Sequence, residues 1–255
     1  MLLLKTSWRS LFLIVLIVGS FAAVLALQPI AQPSWYHDFA DRRTIAGIPN
    51  FFDVISNIPF LLIGIAGLKF CLRSREEART SWILFFLAVA LVFFGSVHYH
   101  LAPGNTTLFW DRLPMAMGFM ALLIGLSTEL VNGTIERYLL LPAVLAGFGS
   151  VVWWLAFDDL RFYIWVQAMP LLALPFVLLL YRGRYTHQGF LIAALSGYII
   201  AKFFEVYDRQ LYSLTGQLLS GHTLKHLFAA LGCFIIYMML KARTWNSLQD
   251  TLRRA

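Results

Sequence analysis

Eight separate stretches of this chain are long and apolar enough to cross a bilayer, and no other feature limits its fold so strongly. A hydrocarbon layer of about 30 Å takes about 20 helical residues at 1.5 Å each. Windows of that length, bounded by charge, Pro or Gly, fall at 9–27, 51–72, 81–101, 113–131, 138–157, 162–181, 189–207 and 222–241. The runs do not alternate apolar with polar residues, which excludes a barrel with polar lumen-facing positions. Connections between them are short, so consecutive helices become antiparallel neighbours in one bundle. The expected fold is an all-α integral membrane protein, a seven-helix transmembrane bundle plus one additional N-terminal hydrophobic helix. It divides into an N-terminal transmembrane helix or signal anchor over 1–30, a seven-span domain over 31–245 and a cytoplasmic tail over 246–255. The first window, with Lys5 and Arg9 ahead of an apolar run to Leu27, has the layout of either a cleaved signal peptide or a spanning helix. Its length favours the helix.

Charge then acquires a specific meaning. Only 13% of the 255 residues are charged and 60% are hydrophobic, against about a quarter charged in soluble domains. That excludes a soluble globular enzyme, a disordered chain and a nucleic-acid-binding module. The net charge of +7 lies between the apolar runs and not along one face, so it reads as a topology signal. With the N-terminus placed in the cytoplasm, 13 of the 20 Lys and Arg residues fall at cytoplasmic ends: Lys5, Arg9, Lys69, Arg73, Arg75, Arg79, Arg137, Arg182, Arg184, Lys241, Arg243, Arg253 and Arg254. Both termini are therefore expected to be cytoplasmic. The two cysteines, Cys71 and Cys233, lie in or beside apolar runs and offer no disulfide framework. A metal would have to be held by His, Asp or Glu.

Ionisable groups in a spanning helix are costly, by about 2.5–3.5 kcal/mol on insertion scales, so each needs a partner or a role. Ser96 and His100 close the third window, Asp111 opens the fourth after Pro103-Gly104-Asn105, and Glu205 and Asp208 close the seventh. His222 and His226 begin the eighth, and Asp53, Ser56 and Asn57 begin the second. All of them fall at the non-cytoplasmic ends, although the charge count did not use them. His222 and His226 are four residues apart, one turn along one helical face, which suits two imidazoles on one metal. Ser96 and His100 have the same spacing, whereas His98 points elsewhere. A third imidazole from His100 would complete a three-histidine set with one position left open, and Asp111 would orient or deprotonate a water there. Taken singly, each feature also has a plain reading. A His-x-x-x-His pair can bind haem, line a proton path or bond to other helices, Ser96 can pack an interhelical contact, and Asp111 can pair with Arg112.

With Ser96-x-x-x-His100, then Asp111, and His222-x-x-x-His226 in the last span, the chain resembles the alkaline ceramidase family, part of a superfamily of membrane hydrolases that includes the adiponectin-receptor-like proteins. Asn50-Phe51-Phe52-Asp53-Val54-Ile55-Ser56-Asn57 is similar to the opening of that family's first shared helix, and the resemblance runs from about residue 35 to 240. It implies Zn2+ held by His100, His222 and His226, a water hydrogen-bonded to Asp111, and Ser96 stabilising the oxyanion. It also implies a ceramide-type N-acyl lipid as substrate, cleaved to a long-chain base and a fatty acid, with Asp53, Glu205 and Asp208 supporting the site. Family members bind Ca2+ near the N-terminal end of the shared helices. Asp38, Asp41 and Asn50 stand nearest the matching positions here, with Arg43 where an Asn belongs and Asn50 where a Glu belongs. The same cluster also fits a non-hydrolytic receptor or transporter, or a metal-dependent hydrolase of another lipid ester.

Overall fold

The structure is a computed structural model that describes residues 7–74, 77–181 and 186–244. Among these residues it is all-α, with no strand. The helices are α1 (Trp8–Leu25), α2 (Phe51–Ile55), α3 (Ile58–Arg73), α4 (Arg79–Leu101), α5 (Asn105–Leu130), α6 (Ile135–Phe157), α7 (Arg161–Leu180), α8 (Gly189–Val206), α9 (Asp208–Leu214) and α10 (Gly221–Ala242). With α2 and α3 taken as one broken span, eight are long and apolar enough to cross a membrane. The tail expected over 246–255 lies outside the described residues, as do Lys5, Arg75, Arg182, Arg184, Arg253 and Arg254.

Two elements differ from the windows read in the sequence. Helix α5 starts at Asn105, two turns before the fourth apolar window, because Asn105-Thr106-Thr107 form a polar first turn that a hydropathy search passes over. The Thr107 hydroxyl donates to the Ala102 and Gly104 carbonyls at 2.7 and 3.0 Å and fixes that turn. Asp111 therefore sits inside the helix and does not open it. Helix α9 is too short to register as a span.

Pro59, near the start of α3, has no N–H to continue the α2 ladder, and the chain breaks at Ser56-Asn57. There the Asn57 N–H turns to the Val54 carbonyl at 3.3 Å, and side chains take up the Asp53 carbonyl it leaves: Ser56 Oγ and Asn57 Nδ2 both donate to it, at 3.1 and 2.7 Å. The break turns both polar side chains inward.

Packing runs in sequence from α3 through α4 and α5 to α6, while α8 pairs with α10 and α10 returns to α3. Small residues permit the closest approaches. A methyl group on Gly95 would lie 2.1 Å from the Trp110 carbonyl, and one on Gly221 2.2 Å from that of Phe204. These glycines bring α4 against α5 and α10 against α8 at the same end of the bundle. Helix α1 packs chiefly on α7, antiparallel to it. Ser10 meets the Tyr181 hydroxyl at one end, and Arg161 donates to the Leu25 and Leu27 carbonyls at the other. The N-terminal end of α1 and the C-terminal end of α10 thus share one end of the bundle, opposite the one described next.

Candidate metal centre

Three histidines converge where α4 ends and α10 begins. His100 stands in the last turn of α4, while His222 and His226 lie one turn apart on α10, whose start is capped by Ser220 accepting from the Thr223 N–H at 2.9 Å. The three imidazole centroids form a nearly equilateral triangle with sides of 4.9, 4.9 and 4.8 Å. One ring nitrogen from each lies within 4.8 Å of the others, and all three residues are buried. A buried polar atom ordinarily has a partner, yet among the described residues both ring nitrogens of His100 and Nε2 of His222 have none. His226 is oriented from behind, its Nδ1 lying 2.8 Å from Ser56 Oγ. Ser56 Oγ also donates to the Asp53 carbonyl at 3.1 Å, and the Nδ1-protonated tautomer, which donates to this hydroxyl, leaves the His226 Nε2 lone pair free for a metal. Three ring nitrogens this close together form a group able to hold one metal ion.

No protein-family model matches the chain, and no curated protein matches it. The site's meaning therefore rests on its own geometry.

Two of the supporting residues read in the sequence hold the elements that carry the ligands. Asp53, fully buried in α2, accepts from the Thr223 hydroxyl at 2.6 Å and lies 3.2 Å from that of Ser220, which ties α2 to the first turn of α10. Asp208 accepts from the backbone N–H of His222 at 2.8 Å and from that of Ala40 at 2.9 Å. Among the described residues neither carboxylate hydrogen-bonds to an imidazole.

Ser96 and Asp111 face each other across α4 and α5, close enough to hydrogen-bond. Both are buried. Together with His226, Lys225 and Asn57 they line the polar end of a cavity that encloses about 1080 Å³ of empty space, including its open mouth. Its other walls are apolar and reach Phe85 on α4 and Ile236 on α10. The ten residues separating His226 from Ile236 correspond to about 15 Å along the helix axis. Glu205, at the end of α8, does not join the histidines. It accepts from Lys225 Nζ at 2.6 Å, from the Tyr36 hydroxyl at 3.0 Å and from Lys202. Burial, and then the Glu205 charge, push the Tyr36 phenol well above its ordinary pKa, so it stays a neutral donor. Arg112 makes no ion pair with Asp111 among the described residues. Its guanidinium lies over the rings of Trp154, Tyr163 and Tyr36 at 4.2, 4.8 and 5.4 Å.

The segment from Ser34 to Arg43 covers the centre. Phe39 is 3% exposed, and its ring lies 4.7 Å from that of His100 and 4.8 Å from that of His222. His37 anchors the cover through the Tyr99 hydroxyl at 2.9 Å and Asn105 at 3.0 Å.

This arrangement gives the calcium expectation no support. Asp38 pairs with Arg42 and Arg209, and Asp41 with Arg43 at 2.6 Å. Asn50, in the left-handed conformation that starts α2, donates its amide to the His100 carbonyl at 2.8 Å. The two carboxylates hold arginines and the amide presents its nitrogen, so the three offer no set of hard oxygen ligands.

The structure thus brings together Ser96, His100, Asp111, His222 and His226 and places Asp53, Glu205 and Asp208 around them. Sequence reasoning did not assign a role to Ser56, Phe39 or Lys225. Lys225 carried a usable signal, a cation beside a histidine in an apolar helix. Phe39 carried none, because its contacts lie far along the chain.

Proposed function

We propose that the chain is a metal-dependent membrane hydrolase that cleaves the amide of N-acyl lipids of the ceramide type, with zinc held by His100, His222 and His226. The observation that carries this reading is the triangle of buried imidazoles with unpartnered nitrogens, one of which, His226, lines the polar end of a long apolar cavity together with Ser96 and Asp111. The all-nitrogen donor set favours zinc over calcium or magnesium. Such an ion supplies Lewis acidity, polarising a carbonyl and acidifying water. The protein's own residues do the rest. Asp111 takes the proton from the attacking water and passes it to the leaving amine. Ser96 donates to the carbonyl oxygen as charge develops on it. The apolar walls receive an alkyl chain, and Phe39 keeps bulk water off the histidines. The basic-residue count supports a bilayer orientation with both termini cytoplasmic and the centre on the opposite face.

The test is metal analysis of the purified protein together with incubation with N-acyl sphingoid bases of several chain lengths, with and without chelator. The reading expects about one zinc per chain, loss of zinc in the H100A, H222A and H226A variants, and chelator-sensitive release of fatty acid. Unaltered lipids alongside full zinc occupancy overturn the hydrolase and leave a receptor or transporter built on the same centre.

A further inference from the structure

One polar group in the cavity has no part in the hydrolytic reading. Tyr198 lines the cavity from α8, whereas Ser96 and Asp111 line it from α4 and α5. The lining side chains Asn57, Ser96, Asp111, Lys225 and His226 each make at least one hydrogen bond. Among the described residues the Tyr198 hydroxyl makes none. Tyr198 stands eight residues before Val206, the end of α8, which is about 12 Å along the axis in a hydrocarbon layer of about 30 Å. A phenol at that depth ordinarily has a hydrogen-bond partner. Without one it costs free energy that a phenylalanine ring would not.

Packing fixes where this hydroxyl can act. The Tyr198 ring meets that of Phe119 on α5 edge to face, with centroids 5.4 Å apart, so it reaches across the cavity from α8 to α5. Its neighbour Gly197 faces α10, where an added methyl group would lie 3.7 Å from the Phe228 carbonyl. Phe228 follows His226 by two residues, about 3 Å along the axis. Tyr198 is thus rooted near the histidine end of the cavity, and the charges of Glu205 and Lys225 reach it. An anionic group is disfavoured there, because Glu205 already holds Lys225, the cation that lines the cavity. An alcohol matches a phenol, since each donates one hydrogen bond and accepts others.

We propose that Tyr198 is a specificity-determining residue that hydrogen-bonds an alcohol carried by the lipid close to its amide. This inference rests on the hydrolase reading for the amide and deepens it by naming a second group that the cavity reads. Such an alcohol has two sources, the amine side of the amide, as in a long-chain base, and the α-carbon of the acyl chain. The test separates them.

The probes are N-dodecanoylsphinganine for the amine side, N-octadecyl-α-hydroxydodecanamide for the acyl side, and N-octadecyldodecanamide, which has the same chains and no alcohol. Binding is measured on the full chain in detergent with the metal chelated, and turnover with zinc present. The wild type is expected to bind at least one alcohol-bearing probe about three- to tenfold more tightly than the alcohol-free amide, as one neutral hydrogen bond allows. In turnover the same preference appears in KM. Tyr198→Phe removes the oxygen alone and shrinks the preference to less than about twofold, whereas Phe119→Leu keeps the hydroxyl, frees the ring and retains part of it. Zinc content measured on each variant reports whether the centre is intact, and the comparison of probes on the wild type stands without either variant.

A preference for the sphinganine probe places the alcohol on the amine side, and one for the hydroxyacyl probe places it on the acyl chain. Equal binding of all three by the wild type overturns the inference, as does a preference that survives Tyr198→Phe. Failure of the hydrolase reading looks different: the alcohol preference persists and depends on Tyr198 while none of the three amides is cleaved. If the amides are cleaved and bind equally, the hydrolase stands and the role of Tyr198 falls.

Discussion

Ser56 Oγ lies 2.8 Å from His226 Nδ1 and also donates to the Asp53 carbonyl, so the break near the start of one span supplies a hydrogen-bonding partner behind a histidine on another. Partners of this kind tune ligand basicity and ring orientation, and losing one commonly lowers metal affinity by about 10–100-fold. Ser56→Ala should therefore weaken zinc binding by that factor while leaving the helix content unchanged. Competition with a chromogenic chelator measures the first and circular dichroism the second. Wild-type affinity in this variant would mean that His226 is oriented by its helix alone.

Asp111 and Ser96 line the same end of the cavity but belong to neither the histidine triangle nor the hydrogen bonds that hold it. Asp111→Asn keeps the shape and removes the base, so kcat should fall by about 10²–10⁴-fold with zinc stoichiometry intact. Ser96→Ala should lower kcat less, at nearly unchanged KM, because its donation strengthens only as charge develops on the oxygen. Paired zinc and kinetic measurements check both. An Asp111→Asn variant that retains full activity would remove the carboxylate from the mechanism.

Much of this centre was legible in the chain, for physical reasons that differ from residue to residue. The i, i+4 spacing of His222 and His226 survives folding because a helix fixes it locally, and the antiparallel order of short-connected spans places His100 at the same end. The start of α5 was not legible, because hydropathy detects the bilayer-facing length of a helix and overlooks a polar first turn at Asn105-Thr106-Thr107. The role of Phe39 was not legible either, because it depends on how an irregular segment folds back over α4 and α10. For Arg112 the sequence offered a neighbouring aspartate as partner. On α5 consecutive side chains diverge by about 100°, so Asp111 faces the cavity while Arg112 reaches the rings of α6 and α7.

At the far end of the bundle, Arg243 donates to both oxygens of Glu129 at 2.6 and 2.7 Å, and Trp82 Nε1 donates to one of them at 2.6 Å. Both charged side chains are nearly fully buried, at 2% and 3% exposure. This pair fastens the last turn of α10 to α4 and α5. Breaking a buried pair from one side costs about 3–5 kcal/mol, so Arg243→Ala should lower the thermal midpoint markedly. The double variant Arg243→Met, Glu129→Gln should recover much of the loss. If the double variant is no more stable than Arg243→Ala, the pair does not act as a unit.

Acid should loosen the cover before it disturbs the spans. Burial alone would raise the Asp41 pKa, but hydrogen bonds and charge from Arg43 more than offset it and hold the carboxyl below the ordinary aspartate range. At Asp159 the hydrogen bond from Arg161 chiefly lowers the pKa, against burial. Both folded values are depressed, so the stabilisation is fully present above the unfolded value near pH 4 and is lost as pH falls through the folded values. Asp159 also accepts from the Ile30 N–H, and Arg43 reaches the Leu218 carbonyl. Hydrogen exchange over residues 30–43 should therefore be flat from pH 7 to about 5, once corrected for intrinsic rates, and should lose protection below about pH 4. Protection that falls instead between pH 7 and 5 would assign the cover's stability to another group.

The Phe39 ring lies against two of the three histidines and is itself almost fully buried, which makes it the plug between the centre and the aqueous side of the cover. Phe39→Ala would open a cavity and confuse access with instability, at about 3–5 kcal/mol. Phe39→Leu keeps most of the apolar volume, at less than about 1.5 kcal/mol, and removes only the ring that spans the gap to His100 and His222. In this variant a water-soluble chelator should strip zinc several-fold faster than from the wild type, while zinc affinity at equilibrium changes little, because the ligands and Ser56 are untouched. Stopped-flow chelation and an equilibrium titration on the same preparation separate the two quantities. Equal stripping rates would show that the ion exchanges by a route other than the one Phe39 closes, and the open mouth of the apolar cavity would then be the next path to block.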